Sequence, residues 1–270
     1  MSLNWKELDR VLSELDIVGA QIQRVVQPAY DTVIVSLYKP GIATELLFCV
    51  GHGACRMHAT TQWFPKPAKP QRFTELLRSH VRGARIESIR QIGADRIVVL
   101  DIGQDEGRYL LYARLWSGAA NLILTRPDGT IVDVLTRKPS RGEVAGGVYA
   151  PGPGPVPARK FEVREFDEGQ PAPMAPDGSA EPTAYHESPA VPPSPAVPSS
   201  PSAPSSPAMP SSPAVPPSPA ATGLHRTKAA PGVPDTKTGS RPYNERVDAW
   251  YAGHGSELSR EAFVERAVKV

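Results

Sequence analysis

Two cysteines in 270 residues, Cys49 and Cys55, are too few to staple a fold. A disulfide framework needs several paired thiols, so this chain must hold itself together by burying apolar side chains. One bridge between the two is conceivable, but reduced thiols on a strand and its neighbour are the expectation. Cys49, His52, Cys55 and His58 fall close together without any CxxC knuckle. They are read as ordinary sheet and turn positions, and no metal is expected. No apolar run approaches the roughly 20 residues that a bilayer-spanning helix needs. The start, with acidic and basic residues mixed among apolar ones, lacks the charged-then-apolar order of a secretory signal. A cytoplasmic protein with no membrane partner is expected. Also missing are GxSxG, HExxH, a phosphate-cradling glycine loop and a spaced carboxylate pair. No catalytic residue and no cofactor is assigned, and the chain is not read as an enzyme.

Proline, in contrast, is abundant and uneven. Most of the 31 prolines follow Pro151, and from Pro189 to Pro219 one stands at every third position. Polyproline II has three residues per turn, so these prolines align along one edge of an extended rod, and thirty steps would span roughly 90 Å. A regular repeat with few charges reads as a semi-rigid spacer more readily than as a ligand for proline-recognising domains. The chain therefore divides into a folded domain over 1–150, a Pro/Ser/Ala-rich disordered linker over 151–240 and a helical tail over 241–270. In the tail, Val247, Trp250 and Tyr251 mark a short helix, which Gly253-His254-Gly255 is expected to end. A second helix from Glu257 onward would lack a partner.

Apolar periodicity gives the first 150 residues their elements. Trp5, Leu8, Leu12 and Leu15 make one helical stripe over 4–16, with Asn4 as N-cap and Glu7 completing a capping box. Alternation with period two then marks strands at 21–26, 32–39, 44–50 and 55–61, separated by proline and glycine turns. The loop 65–70, PKPAKP, cannot enter a sheet interior. A second helix over 71–81 buries Phe73, Leu76, Leu77 and Val81. Further strands follow at 85–91, 96–101, 109–116, 121–125 and 130–135. The fold class is α+β, with two helices and a sandwich-like pair of antiparallel sheets.

Charge is distributed unevenly. Residues 1–150 hold 19 Lys and Arg against 15 Asp and Glu, and 56–96 hold nine against three. That local excess is compatible with a polyanionic partner. Within it, Gly93-Ala94-Asp95-Arg96 makes a corner between two strands. A carboxylate and a guanidinium side by side at a loop tip form either a site or a turn capped by its own aspartate.

Several motifs in order resemble the NFACT family, also known as fibronectin-binding protein A homologues, over about Met1 to Arg137. They are Gly19-Ala20-Gln21-Ile22 running to Gln27-Pro28, Arg56-Met57-His58, Phe73 with Leu77-Arg78, Gly93-Ala94-Asp95-Arg96, and Asn121-Leu122-Ile123-Leu124. The resemblance implies a fold similar to the N-terminal domain of formamidopyrimidine-DNA glycosylases, and a role in ribosome-associated quality control. Such proteins bind a large ribosomal subunit carrying a stalled nascent chain and recruit tRNA for C-terminal tailing. By the resemblance Asp95 and Arg96 engage tRNA, with Arg56 and Arg78 as further RNA contacts. The alternative family name implies a fibronectin-binding, adhesin-like protein. No DNA partner is expected, because Ser2 and Leu3 stand where glycosylase chemistry needs proline and glutamate. The family's Glu-Leu-x-Gly-[Arg/Lys]-His-Ser-Asn run is replaced by Arg114-Leu115-Trp116-Ser117-Gly118-Ala119-Ala120-Asn121. The helix-hairpin-helix segment and the NFACT-R domain have no counterpart, and a coiled coil would begin near Tyr243, so the chain reads as a truncated member.

Overall fold

Asn4 opens helix α1 (Trp5–Glu14) by accepting from the backbone N–H groups of Lys6 and Glu7. Glu7 returns the favour to the N–H of Asn4 at 2.8 Å, completing the expected capping box. The computed structural model describes residues 1–65, 67–104, 107–116, 118–152, 161–166 and 241–268, with side chains in the last helix described to Gly255. The proline repeat lies outside the described residues.

After α1 come β1 (Gln21–Ala29), β2 (Thr32–Lys39), β3 (Ile42–Cys49), β4 (Arg56–Thr60) and helix α2 (Arg72–Val81). Strands β5 (Arg85–Gln91), β6 (Ile97–Gln104), β7 (Gly107–Arg114), β8 (Asn121–Thr125) and β9 (Ile131–Val134) follow. The Pro40-Gly41 turn between β2 and β3 works because proline presets its own φ and Gly41 takes φ +83°. Pro28 is tolerated inside β1 because the register slips between Val26 and Ala29, where no ladder donor is required.

The expected pair of sheets is not what forms. All nine strands join one antiparallel sheet in the order β4-β3-β2-β1-β5-β6-β7-β8-β9. The joint between β1 and β5 is short, with Gln21 opposite Arg85, yet it is closed by backbone bonds. Gly19 donates to Ile86, Ile86 to Ala20, Ile22 to Ala84 and Gly83 to Ile22. Pairing here removes two strand edges that separate sheets would have left open. Both halves still feed a single core: Val35, Phe48 and Met57 from one, Leu100, Leu111 and Leu122 from the other. Each such fully buried side chain contributes about 1.5–3 kcal/mol over its exposed state.

The tail corrects a second expectation. Helix α3 (Tyr243–Val268) runs through Gly253-His254-Gly255 without a break. Two helical glycines cost about 1 kcal/mol each, which is too little to end a helix held by packing. His254 also stacks on Trp250 at 4.3 Å and contacts its carbonyl at 2.8 Å. The first turns of α3 pack on the domain, with Tyr243, Val247, Trp250 and Tyr251 in the main core, whereas the side chains from Glu257 onward, where no partner is expected, lie outside the described residues. Glu14 caps its start by accepting from the N–H groups of Tyr243 and Asn244, both at 2.9 Å. One turn apart, Asn244 accepts from the N–H of Ala59 and Asp248 from that of Thr61. These are outward-facing donors of edge strand β4, so α3 covers the edge with side chains.

A strap over 161–166 completes this end. Arg164 grips buried Glu7 and donates to the carbonyl of Ser2 at 2.8 Å, and Phe166 packs edge-on to Tyr243 and Trp250. The folded domain thus draws on residues beyond position 150. Among the described residues, no helix is long and apolar enough to cross a membrane.

Candidate nucleic-acid interface

Strands β5 and β6 meet at a corner because Gly93 takes φ +56° and the ladder resumes at Ile97. Asp95 stands in that corner, half-buried, and its Oδ1 accepts two bonds. One comes from the backbone N–H of Arg96 at 2.6 Å, the other from the indole N–H of Trp116 at 2.7 Å. Gln91 adds a bond from its amide to the Asp95 carbonyl at 2.6 Å and ties the same amide to the carbonyl of Trp5. The carbonyl of Arg96 accepts from Leu115 at 2.8 Å. The corner is therefore pinned from β5, from α1 and from the segment after β7. Asp95 does cap its own turn, as the plainer reading held, but it also binds a side chain twenty-one residues away.

Trp116 leads into a buried polar cluster. The guanidinium of Arg114 lies 5.4 Å from its ring, donates to the carbonyl of Ala119 at 2.8 Å and pairs with Glu143 at 2.6 Å. Both partners of that ion pair are almost fully buried, at 7% and 4% side-chain exposure. Asn121 gives its amide to the other oxygen of Glu143 at 2.7 Å and to the carbonyl of Thr136 at 2.8 Å. An arginine thus stands where the family pattern has glutamate, and Glu143 supplies the opposite charge.

Glu143 belongs to a tight turn. Its backbone exchanges bonds with Lys138 across a 3-10 turn, Pro139–Arg141, which ends on Gly142 at φ +68°. Burial lowers the pKa of Lys138, and the nearby cations Arg114 and Arg141 lower it further, against an opposing pull from Glu143. Cys55 lies in the field of both Arg96 and Lys138. Burial first, then Cys49, pushes its thiol up to about 11, and its sulfur donates to the carbonyl of Gly51.

The other two basic candidates are placed differently. Arg56 lies beside Cys55 at the start of β4, stacks on Tyr251 at 4.2 Å and donates to the carbonyl of Ala54. Arg78 does not join the corner: it sits on α2, and its Nε and Nη2 both donate to the carbonyl of Val25 in β1. Two other arginines of the basic run are also engaged within the domain. Arg72 pairs with Asp133, and Arg85 donates to the carbonyl of Gly19. A guanidinium with five donors readily satisfies carbonyls left at strand ends.

Cys49 and Cys55 are free thiols. His58 is buried between β4 and α3, with Nδ1 2.9 Å from the carbonyl of Ala59 and 3.9 Å from Asp248. Among the described residues no group of three His, Cys, Asp or Glu is arranged to hold a metal ion. Trp116, Glu143, Lys138 and Arg141 were not singled out by sequence reasoning. The signal for Glu143 was indirect: an arginine in the Asn121 motif demands a carboxylate somewhere in the fold.

A family model described as NFACT N-terminal and middle domains matches residues 6–169. Among curated proteins, the chain is 34% identical over 125 residues to the Rqc2 homolog RqcH of Bacillus subtilis, covering 44% of this chain and 22% of that protein. It is 32% identical over 131 residues to the human ribosome quality control complex subunit NEMF, covering 48% and 12% respectively. The chain thus spans about a fifth or less of the length of these relatives. Among solved structures, the N-terminal domain of fibronectin-binding protein PavA from Streptococcus pneumoniae superposes with a TM-score of 0.53 at 23% identity, covering 59% of this chain and 65% of that one. The N-terminal part of a fibronectin/fibrinogen-binding protein from Streptococcus suis gives 0.53 at 24%, covering 57% and 62%. At these identities the two structures establish the fold alone.

Proposed function

This chain belongs to the NFACT family, and on that footing we propose that its folded domain is the RNA-binding N-terminal module of a ribosome quality control factor. The module works by binding, with no chemistry of its own. It contacts tRNA and the large ribosomal subunit carrying a stalled nascent chain, and so supports C-terminal tailing of that chain in the cytoplasm. The names of the curated relatives support the setting. One structural observation carries the site: Asp95 is held by both the Trp116 indole and the Arg96 backbone, which fixes the main chain from which the Arg96 side chain leaves. A guanidinium on a pinned backbone loses less freedom when it meets a phosphate or a base edge, so its bidentate contact is stronger and more directed.

The test is binding of the full chain to tRNA and to purified large subunits across a salt series. The Arg96→Ala variant is expected to bind both more weakly with its thermal midpoint unchanged. Equal binding by wild type and variant sinks the assignment. The adhesin reading has no comparable support, since the fibronectin-binding names come with likenesses that establish the fold only.

A further inference from the structure

Trp63, in the loop after β4, is 83% exposed, although the chain on either side of it is fixed. Before it, the N–H of Thr61 donates to Asp248 at 2.9 Å and that of Gln62 to the Thr60 hydroxyl at 3.1 Å. After it, Phe64 packs with Ala54 on a small cluster of Ile34, Leu47 and Cys49, apart from the main core. Pro65 then restricts the backbone of Phe64 as well as its own. Ala54 also ties the loop to Arg56, whose guanidinium donates to its carbonyl at 3.0 Å. The surroundings of the indole are polar and cationic. Gln62 and Lys69 are exposed with it, and between Glu45 and Glu75 the chain holds Arg56, Lys66, Lys69 and Arg72 but no aspartate or glutamate. Two carboxylates from other segments reach the end of β4, and both are engaged. Glu45 is bound by Arg24 and Ser36, and buried Asp248 by Thr60 and Thr61.

We propose that Trp63 is a base-stacking residue: its indole takes an unpaired nucleobase of RNA on its face, within a stretch of chain that carries cations and no acid. The inference rests on the RNA-binding reading and adds to it a contact with a base, where Arg96 meets phosphate or a base edge. Every base presents a π-face, so stacking on an indole tolerates any sequence but needs a base outside a duplex. A ring that serves as a protein hot spot sits at the centre of a well-packed, desolvated patch. An indole rising among an amide and cations suits a polyanion whose bases are apolar on their faces. The fixed backbone on both sides of Trp63 lowers the freedom lost when the stack forms.

The experiment measures binding of the full chain, across a salt series, to an unmodified tRNA transcript, a short single-stranded oligoadenylate, a long fully paired RNA duplex and purified large ribosomal subunits. Wild type is compared with Trp63→Ala, Trp63→Phe and Arg96→Ala. Trp63→Ala is expected to bind the transcript and the oligoadenylate about 5- to 150-fold more weakly, with the salt slope unchanged because no charge is lost. Duplex binding should stay at the wild-type level, and Trp63→Phe, which keeps a π-face, should recover most of the loss. Arg96→Ala is expected instead to flatten the dependence of log affinity on log salt by about one. Because Trp63 is exposed, its variants should keep the wild-type thermal midpoint. If Trp63→Ala binds every RNA as wild type does while Arg96→Ala is weakened, the stacking assignment falls and the RNA-binding reading stands. If Trp63→Ala alone is weakened, stacking stands and the corner assignment falls. If no variant differs from wild type, both fall. An equal loss on duplex and single strand overturns stacking. So does a loss confined to the large subunits, which would make Trp63 a contact with a protein of that subunit.

Discussion

The indole N–H of Trp116 and the backbone N–H of Arg96 converge on one oxygen of Asp95, at 2.7 and 2.6 Å. That shared acceptor couples the corner between β5 and β6 to the segment after β7. It also gives the altered Arg114–Asn121 run a role that its departures from the family pattern did not reveal. On the proposed RNA-binding role, Trp116 acts on the corner through Asp95 as a positioning residue.

Trp116→Phe keeps a ring over Arg114 but removes the donor to Asp95. The expected cost is about 1 kcal/mol of stability, the net worth of one such hydrogen bond. RNA affinity should fall by more than that cost explains, because the corner loosens. Urea titration and tRNA binding on the same preparation check this, and a variant that loses stability but binds normally would show Trp116 to be structural only.

Glu143→Ala strands the Arg114 guanidinium in a buried site and removes the acceptor for Asn121. Breaking one side of a buried pair costs about 3–5 kcal/mol, so a large drop in the urea midpoint is expected. Replacing Arg114 and Glu143 together by Met and Leu should recover much of that loss, since no buried charge then remains unpaired. A double variant as unstable as the single one would contradict this account.

Helix α3 is part of the domain, held to β4 by Asn244 and Asp248. Asp248 accepts from the Thr60 hydroxyl at 2.6 Å and from both the N–H and the hydroxyl of Thr61. Asp248→Ala leaves the buried Thr60 hydroxyl without its acceptor and turns the exposed Thr61 donors to water, for a loss of about 1–3 kcal/mol. A chain ending before Arg241 is expected to expose the β4 edge and self-associate, which size-exclusion chromatography would detect. A monomeric truncated protein of unchanged stability would show the helix to be dispensable.

His58 makes stability depend on pH. Burial, then the charge of Arg56, depresses its pKa to about 4, against the pull of the Ala59 carbonyl and Asp248. The unfolded chain takes up this proton near the ordinary histidine value of about 6.5, so it binds more protons than the folded state between the two. The stability that neutral His58 provides is complete above pH 6.5 and declines as pH falls from there towards 4. Chemical denaturation of wild type and His58→Phe across that window should show a shallower decline in the variant.

Local chemistry was enough to read most of the elements. Capping at Asn4, the stripes of α1 and α2, and the proline and glycine turns act over a few residues, and each element formed near its expected place. The Asp95-Arg96 corner was legible for the same reason, since a glycine turn between two alternating runs is a local signal. What the tertiary structure decided lies at long range. The closure of β1 on β5 makes one sheet, and the seating of α3 on β4 depends on donors more than 180 residues away. Glu143 balances Arg114, Trp116 reaches Asp95, and Arg78 turns to Val25. Sequence patterns record which side chains need a partner, and only the folded chain brings that partner within hydrogen-bonding distance.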